Sequence, residues 1–315
     1  MDGGQISGRI CDPSGESWLI GARAFVEIDH TGDGVIDQVV EAETDENGFF
    51  KLEGLNQGTY TVHIEKGSFT TTIEVELTGY KYEIPETECA VEPPDIAVIS
   101  GDYDHIQDII RTLDLDYDLF PGETMESTYV EFLRDYELML TYDVIFFNCG
   151  INEDWKVYQS EIQENITNFV LQGGSIYASD WAHMFVEATF PEQIDFHGDD
   201  HNFEAARVGS EGFVDATVID ENMQTVLGSD RANINFDLAS WVIASGIHSE
   251  AETLISASVN MYDWSSNLDS TIPNAPLAVR FQAGEGTVIF TSFHNEHQNT
   301  TFDMKELLKE IIFSL

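Results

Sequence analysis

The chain has 315 residues, and its 58 acidic residues against 13 Lys and Arg give a formal net charge of −45. Such a surface repels phosphate backbones and anionic lipid heads, which excludes nucleic-acid binding and a basic membrane-docking face. With 42% hydrophobic residues, the chain can form large cores. It contains no run of about 18 apolar residues, so the sequence does not predict a membrane-spanning helix. At about 100–200 residues per domain, its length predicts two domains.

The first region, residues 1–84, is predicted to be a small all-β sandwich. Its short apolar runs alternate partly with polar residues, and turns rich in Gly, Asn and Asp separate them. The predicted strands cover residues 5–11, 24–28, 38–44, 49–52, 60–65 and 70–77. Short strands at this spacing are typical of a β-sandwich.

The cysteines are Cys11, Cys89 and Cys149. Because an odd and sparse set is not a disulfide framework, we predict no disulfide-based fold. Cys11 and Cys149 lie in apolar strand patterns, which favours small core residues for both.

An acidic loop in the first region is a candidate calcium site. Asp29, Thr31, Asp33 and Asp37 occupy positions 1, 3, 5 and 9 of a loop with Gly34 at position 6, and their oxygens suit a hard cation. The terminal Glu of an EF-hand would fall at residue 40, which is Val, so this is not an EF-hand. The alternative is an Asp/Gly-rich turn without an ion.

The same region resembles a known type of module. The residues that carry the resemblance are ISGRI from residue 6, GARAFV from residue 21, TDENGFFKL from residue 44 and LNQGTYTV from residue 55. They are similar to carboxypeptidase regulatory-like and Cna-type prealbumin-like β-sandwich modules. The resemblance implies an exported spacer or adhesion unit, in an extracellular, periplasmic or cell-surface location.

After a predicted acidic, Pro-containing linker at residues 85–95, the pattern changes to alternating strands and helices. This alternation over residues 96–315 predicts an α/β domain with a parallel sheet covered on both faces. A β-rich insertion is predicted between residues 208 and 259. A hairpin of residues 277–282 and 286–292 follows, and a helix at 305–313 closes the domain.

This second region resembles the class I glutamine amidotransferase-like superfamily, which has a flavodoxin-like fold. The resemblance lies in YDVIFFNCG from residue 142, FVLQGGSIYASDW from residue 169 and GEGTVIFTSFHNE from residue 284. It implies a nucleophilic Cys at the turn after the strand 175–179, with a His and a Glu after a late strand. His294 and Glu296 match the latter pair, but no Cys stands at the turn, and Cys149 follows a different strand.

The turn carries Asp180 instead. A carboxylate there is either a nucleophile beside His294 or the cap of the next helix, and the cap is the favoured interpretation. The candidate catalytic residues are therefore Asp180, His294 and Glu296.

Further histidines and tryptophans suggest weaker candidates. His197 and His201 flank two Asp residues at metal-ligand spacing, but Gly198 favours a solvated loop. His183, His294 and His297 are expected near the carboxyl edge of the sheet, where ligands bind in such folds. Four tryptophans suggest sugar stacking, although core or rim positions are favoured for most of them: Trp155, Trp181, Trp241 and Trp264.

Two functions follow from these patterns. Because the turn lacks sulfur, the first is a two-domain binding or structural protein with a catalytically degenerate domain, which contacts a protein or glycan partner at a surface or serves as an assembly subunit. The alternative is a hydrolase that acts on an amide or glycan through Asp180, His294 and Glu296. Calcium is the one cofactor that the sequence predicts.

Overall fold

The structure is a computed structural model that describes residues 3–124, 128–198, 202–248, 250–263, 268–296 and 299–315. The chain divides into two compact units, whose main boundary lies between Pro94 and Asp95. Among the described helices, none combines the length and the apolar character needed to cross a bilayer.

The first unit is a β-sandwich of two sheets. Its strands are β1 (Gly4–Arg9), β2 (Arg23–Ile28), β3 (Gln38–Glu43), β4 (Phe49–Leu55), β5 (Gly58–Lys66), β6 (Phe69–Leu77) and β7 (Lys81–Glu83). One sheet has the order β4-β1-β7 and the other β3-β2-β5-β6. All six predicted strands are present, and the predicted sandwich is confirmed. The short strand β7, which pairs in parallel with β1, was not predicted.

Alternating side chains and one constrained turn account for this sandwich. On β5, Val62 and Ile64 are buried between half-buried neighbours, as period-two alternation requires. Gly48 has a φ of +67°, and a Cβ there would lie 2.5 Å from the carbonyl oxygen of Ile10. The turn between β3 and β4 therefore requires glycine.

The segment predicted as a linker packs on the first unit instead. Cys89 forms a disulfide with Cys11, so the predicted core-thiol role of Cys11 is wrong. The Cys11 N–H donates to the Cys89 carbonyl at 3.0 Å, and the Glu92 N–H donates to the Thr70 carbonyl at 2.8 Å. The linker was predicted from the acidic composition of this segment, which also contains the apolar residues Cys89 and Val91. Both are buried and alternate with exposed neighbours.

The second unit alternates strands and helices. Its strands are β8 (Ile96–Ile99), β9 (Asp118–Phe120), β10 (Val144–Phe147), β11 (Ser175–Ser179), β12 (Ile194–Phe196), β13 (Gly212–Val218), β14 (Arg231–Phe236), β15 (Ala244–Ile247), β16 (Ala251–Asp263), β17 (Leu268–Ala283) and β18 (Gly286–Thr291). Its helices are α1 (Ile106–Thr112), α2 (Thr128–Arg134), α3 (Tyr136–Met139), α4 (Ser160–Leu171), α5 (His183–Thr189), α6 (Glu221–Leu227) and α7 (Phe302–Phe313).

Nine of these strands form one mixed sheet with the order β14-β13-β16-β17-β18-β11-β10-β8-β9. The five strands β9, β8, β10, β11 and β18 are parallel. Their order in the sheet corresponds to 2-1-3-4-5, which is that of flavodoxin-like folds. The predicted fold class is confirmed.

The β-rich segment lengthens this sheet rather than standing apart from it. β17 forms an antiparallel hairpin with β18, and β16, β13 and β14 continue outwards in antiparallel pairs. Of the apolar residues 241–244, only Ala244 belongs to a strand, because β15 begins there. This strand pairs with β12 in a separate two-stranded sheet.

Candidate functional site

A pocket of about 250 Å³ lies at the carboxyl ends of the parallel strands. Cys149 follows β10, Asp180 follows β11, and His294 and Glu296 follow β18. All four residues line the pocket. Because parallel strands end at one edge of a sheet, side chains that are distant in sequence meet there, and open α/β folds bind ligands at this edge.

Asp180 occupies the sharp turn between β11 and the helical residues that follow. Its φ is +47°, a left-handed conformation that is costly for a residue with a Cβ. Its Oδ1 accepts a hydrogen bond from the Val242 N–H at 2.6 Å, and its Oδ2 lies 3.4 Å from the Cys149 Sγ. The carboxylate of Asp180 thus faces the pocket. The favoured prediction, that Asp180 caps the following helix, is not what the structure shows, because no side chain makes a capping hydrogen bond at the start of this helical turn.

The three predicted catalytic residues come together. His294 Nδ1 lies 3.8 Å from Asp180 Oδ2, and His294 Nε2 lies 3.1 Å from Glu296 Oε1. Asp237, a fourth acidic residue on the pocket wall that the sequence did not suggest, lies close enough to Glu296 to raise its pKa. The arrangement is a continuous row of carboxylate, imidazole and carboxyl groups.

Cys149 is the functional candidate whose place sequence reasoning missed. Its thiol is free and buried, as predicted for a core residue, but it contacts Asp180. The register of β10 and β11 explains the contact, because Phe147 pairs with Ala178 and the chain reaches Cys149 and Asp180 two residues after each of these. The adjacency of consecutive parallel strands was the signal that could have placed Cys149 beside the turn.

A buried carboxylate behind the site connects these strand ends. Asp104 is fully buried and accepts a hydrogen bond from the Ser179 hydroxyl at 2.5 Å and one from the Asn295 N–H at 3.2 Å. The Ser179 hydroxyl in turn accepts the Cys149 N–H at 3.0 Å. One hydrogen-bonded network therefore holds Cys149 together with Ser179, which precedes Asp180, and Asn295, which follows His294.

Burial sets the electrostatics of the site. It raises the pKa of Asp180 to about 6, although the charge of His294 opposes the shift. For His294, burial alone would lower the pKa, but the Glu296 hydrogen bond and the charges of Asp104 and Asp180 outweigh it and raise the pKa to about 9. Burial also raises the pKa of Glu296, and that of the Cys149 thiol well above its ordinary value. Such a group of shifted residues in a cleft is typical of functional sites.

Aromatic side chains form the remainder of the pocket wall. Trp181, Trp241 and Tyr103 line it. The Trp181 indole is fixed by a hydrogen bond from its Nε1 to the Ser240 carbonyl and by the guanidinium of Arg207, 4.5 Å from its ring centre. Of the other two tryptophans considered for sugar stacking, Trp155 is exposed outside the pocket and Trp264 lies outside the described residues.

The predicted calcium loop has its carboxylates turned inwards. Asp29 accepts the N–H groups of Thr31, Gly32 and Gly34, and the Gly34 bond is the largest cause that lowers the pKa of Asp29. Asp33 and Asp37 also accept backbone N–H groups, from Val35 and His30. These bonds keep Asp29 ionised, and calcium binding stays a prediction.

Of the other histidine candidates, the described residues His183 and His197 do not line the pocket. His183 is buried at the start of α5, where its ring packs edge-on against Phe196. The stretch of residues 199–201, with His201, lies outside the described residues, as does His297.

Comparisons with known proteins identify the first unit. Residues 5–83 match the family model of the carboxypeptidase regulatory-like domain, which confirms that resemblance. No curated protein matches the chain.

Solved structures are distantly similar to the chain. A ThuA-like protein from Bacteroides uniformis has 12% identity, covering 70% of this chain and 90% of that one, with a TM-score of 0.46. PurLQS from Thermotoga maritima has 12% identity, covering 70% of this chain and 98% of that one, with a TM-score of 0.42. A glutamine amidotransferase from Thermotoga maritima has 10% identity, covering 64% of this chain and 75% of that one, with a TM-score of 0.37.

Proposed function

We propose that the second unit is a hydrolase that cleaves a glycan or an amide in this pocket, with Asp180, His294 and Glu296 as its reaction centre. The supporting observation is the convergence of the three side chains on one pocket, with 3.8 Å between the first two and 3.1 Å between the last two. The positive φ of Asp180 adds support, because backbone strain concentrates at functional sites.

The geometry gives each group a role. Asp180 Oδ2 faces the pocket and takes a proton from a water molecule, whose oxygen then bonds to the substrate carbon. His294, held by Glu296, gives a proton to the leaving group as the bond to it breaks. The proton goes to Oδ2, which contacts the Cys149 thiol, because Oδ1 is already bonded to the Val242 N–H.

The pocket wall favours a glycan over an amide. Trp181 and Tyr103 offer flat apolar surfaces of the kind that the faces of sugar rings contact. The carboxyl groups of Asp237 and Glu296 offer acceptors for hydroxyl groups and repel anionic substrates. A small neutral sugar fits both properties.

The test is hydrolysis of a panel of chromogenic glycosides and anilides by the full chain. We expect turnover of at least one glycoside, reduced about 100-fold or more by Asp180→Asn, His294→Gln or Glu296→Gln, which is the usual loss for an acid–base group. Glu285→Gln, which changes an exposed carboxylate of the same unit, is the matched control and should retain the wild-type rate. Equal rates in all variants would contradict the proposal.

A binding protein is the second candidate, and burial of the reacting groups favours it. The side chains of Asp180 and His294 are 6% and 9% exposed, which leaves little access for a substrate bond. Sugars that quench Trp fluorescence in the full chain without being cleaved would support binding alone. Asp180→Asn should then leave the affinity for the sugar nearly unchanged.

We also propose that the protein is exported, with the first unit acting as a spacer or adhesion module. The carboxypeptidase regulatory-like match and the Cys11–Cys89 disulfide support this, since disulfides persist in oxidising compartments. Fractionation of cells that express the gene, probed with an antibody, is the test. Protein confined to the cytoplasm with three free thiols would overturn it.

A further inference from the structure

We propose that Cys149, Asp180 and His294 bind one zinc ion at the base of the pocket. Among the described residues, these three form the one group of His, Cys, Asp and Glu side chains whose ligand atoms lie close enough together for a shared metal, all within 4.8 Å of one another. All three are buried and all three line the pocket. The inference rests on the proposed function only in sharing its site.

Two of the distances between ligand atoms agree with tetrahedral coordination. Zinc bonds of about 2.0–2.3 Å to oxygen, nitrogen and sulfur place neighbouring ligand atoms roughly 3.3–3.8 Å apart. The Cys149 Sγ lies 3.4 Å from Asp180 Oδ2, and Asp180 Oδ2 lies 3.8 Å from His294 Nδ1. The second distance is too long for a hydrogen bond but suits two atoms that share an ion.

His294 Nδ1 provides an independent indication. Both nitrogens of this ring are buried, and neither has a hydrogen-bond partner of good geometry within the described part of the chain. His294 Nε2 lies 3.1 Å from Glu296 Oε1, and this carboxylate favours a hydrogen on Nε2, so that the neutral ring presents its lone pair at Nδ1. In the metal-bound form that lone pair and Asp180 Oδ2 are two acceptors facing one another, and the ion takes the place that a proton on Nδ1 fills in the free protein.

The surrounding groups hold the ligands as the outer shell of a metal site does. The Val242 N–H occupies Asp180 Oδ1 and leaves Oδ2 for the ion, and Glu296 orients the imidazole of His294. Carboxylate–histidine–metal pairing of this kind is usual for zinc. A thiolate and a carboxylate also balance the two positive charges of the ion, and a mixed S, N and O set favours zinc over magnesium or calcium.

Three protein ligands leave the fourth position open towards the pocket, which is the geometry of catalytic rather than structural zinc. A bound zinc ion would supply the charge that activates water there. Asp180 would then act as a ligand, and no longer as the proton acceptor.

The test is metal titration of the chelator-treated full chain with Co²⁺ and Zn²⁺. We expect one ion per chain, and with Co²⁺ a thiolate-to-metal absorption band that Cys149→Ser removes. Asp180→Asn and His294→Gln should each weaken Zn²⁺ binding at least 100-fold. His248→Gln, which removes an exposed imidazole of the same unit, should change neither the band nor the affinity.

Glu296→Gln keeps the inference testable should the Cys149 variant fail to fold. Glu296 is not a ligand, and its replacement should weaken Zn²⁺ binding by about 10–100-fold, as loss of an outer-shell partner usually does. Co²⁺ binding without a thiolate band, or no binding above that of surface carboxylates, would overturn the zinc site. Hydrolysis that survives chelation overturns zinc catalysis alone, whereas metal binding without turnover of any substrate contradicts only the hydrolase.

Discussion

Both functional proposals depend on the side chain of Asp180, and the backbone of this residue has an energetically unfavourable conformation. A left-handed conformation costs a residue with a Cβ about 1–2 kcal/mol, and Asp180 adopts it at a φ of +47° while its carboxylate is buried. Neither feature stabilises the fold by itself. Both place Oδ2 beside Cys149 and His294.

Asp180→Asn should therefore separate stability from function. Asn tolerates the left-handed conformation, still offers an oxygen to the Val242 N–H, and removes a buried charge. We expect an unchanged or higher Tm together with loss of hydrolysis and of metal binding. Asp114→Asn, at an exposed position with a φ of 57°, is the control and should affect neither property. A Tm many degrees lower would assign the carboxylate of Asp180 to the fold instead.

Among the elements, the 85–92 segment depends on the disulfide. Cross-linking residues 78 positions apart restricts the unfolded chain, which is worth about 4.5 kcal/mol in the loop-entropy account. The Cys11→Ser/Cys89→Ser double variant should therefore unfold the first unit at a lower urea concentration than the wild type. A reductant should shift the wild type in the same direction and leave the double variant unaffected. A thiol reagent that reacts with all three cysteines shows that the disulfide is reduced. A wild-type urea midpoint that stays unchanged under that condition would contradict the prediction.

The acidic loop between β2 and β3 allows a test of calcium. If Asp29, Thr31, Asp33 and Asp37 bind the ion, EDTA should lower the Tm of the first unit and added Ca²⁺ restore it, because a ligand bound only by the folded state stabilises that state. Mg²⁺ at the same ionic strength should restore less, since the loop offers many flexible oxygens. Asp33→Asn should abolish the calcium response. An unchanged midpoint in the wild type would remove the site.

The elements also show which features the sequence could predict. Period-two alternation and turn glycines were enough for the sandwich, and apolar runs followed by helices were enough for the parallel strands. The apolar pattern of residues 130–140 predicts one helix, but the structure has two, α2 and α3, because the Asp135 carboxylate accepts the Leu138 N–H and begins a new helix. Local patterns could not reveal the Cys11–Cys89 pairing, which depends on residues meeting across 78 positions.

The same distinction holds for the candidate site. Asp180, His294 and Glu296 could be predicted because each lies in a short motif at a strand end. Cys149 joins them only through the pairing of β10 with β11, and Asp237 only because the segment after β14 returns to the pocket wall. Both contacts are properties of tertiary structure, which single motifs do not record.

For the whole molecule, the charge of −45 is the dominant property. With 58 acidic residues and only 13 Lys and Arg, most carboxylates have no cationic partner, so like charges repel across the folded surface. Salt shortens the reach of this repulsion from about 30 Å at 0.01 M to about 3 Å at 1 M. The compact state should gain more from this screening than the expanded chain, in which the charges lie further apart.

We therefore expect the Tm of the full chain to rise by several degrees between 0.01 and 1 M NaCl, measured at neutral pH. KCl should act as NaCl does, because screening depends on ionic strength and not on the ion. Sorbitol at matched osmolality is the control, since an excluded osmolyte stabilises without screening charge. Millimolar Ca²⁺ at low ionic strength is a further comparison. If Ca²⁺ alone gave the full rise in Tm and Asp33→Asn lost that rise, the effect would belong to the acidic loop. A Tm that falls with salt would show that the few ion pairs, such as the one between Arg207 and Asp154, outweigh the repulsion.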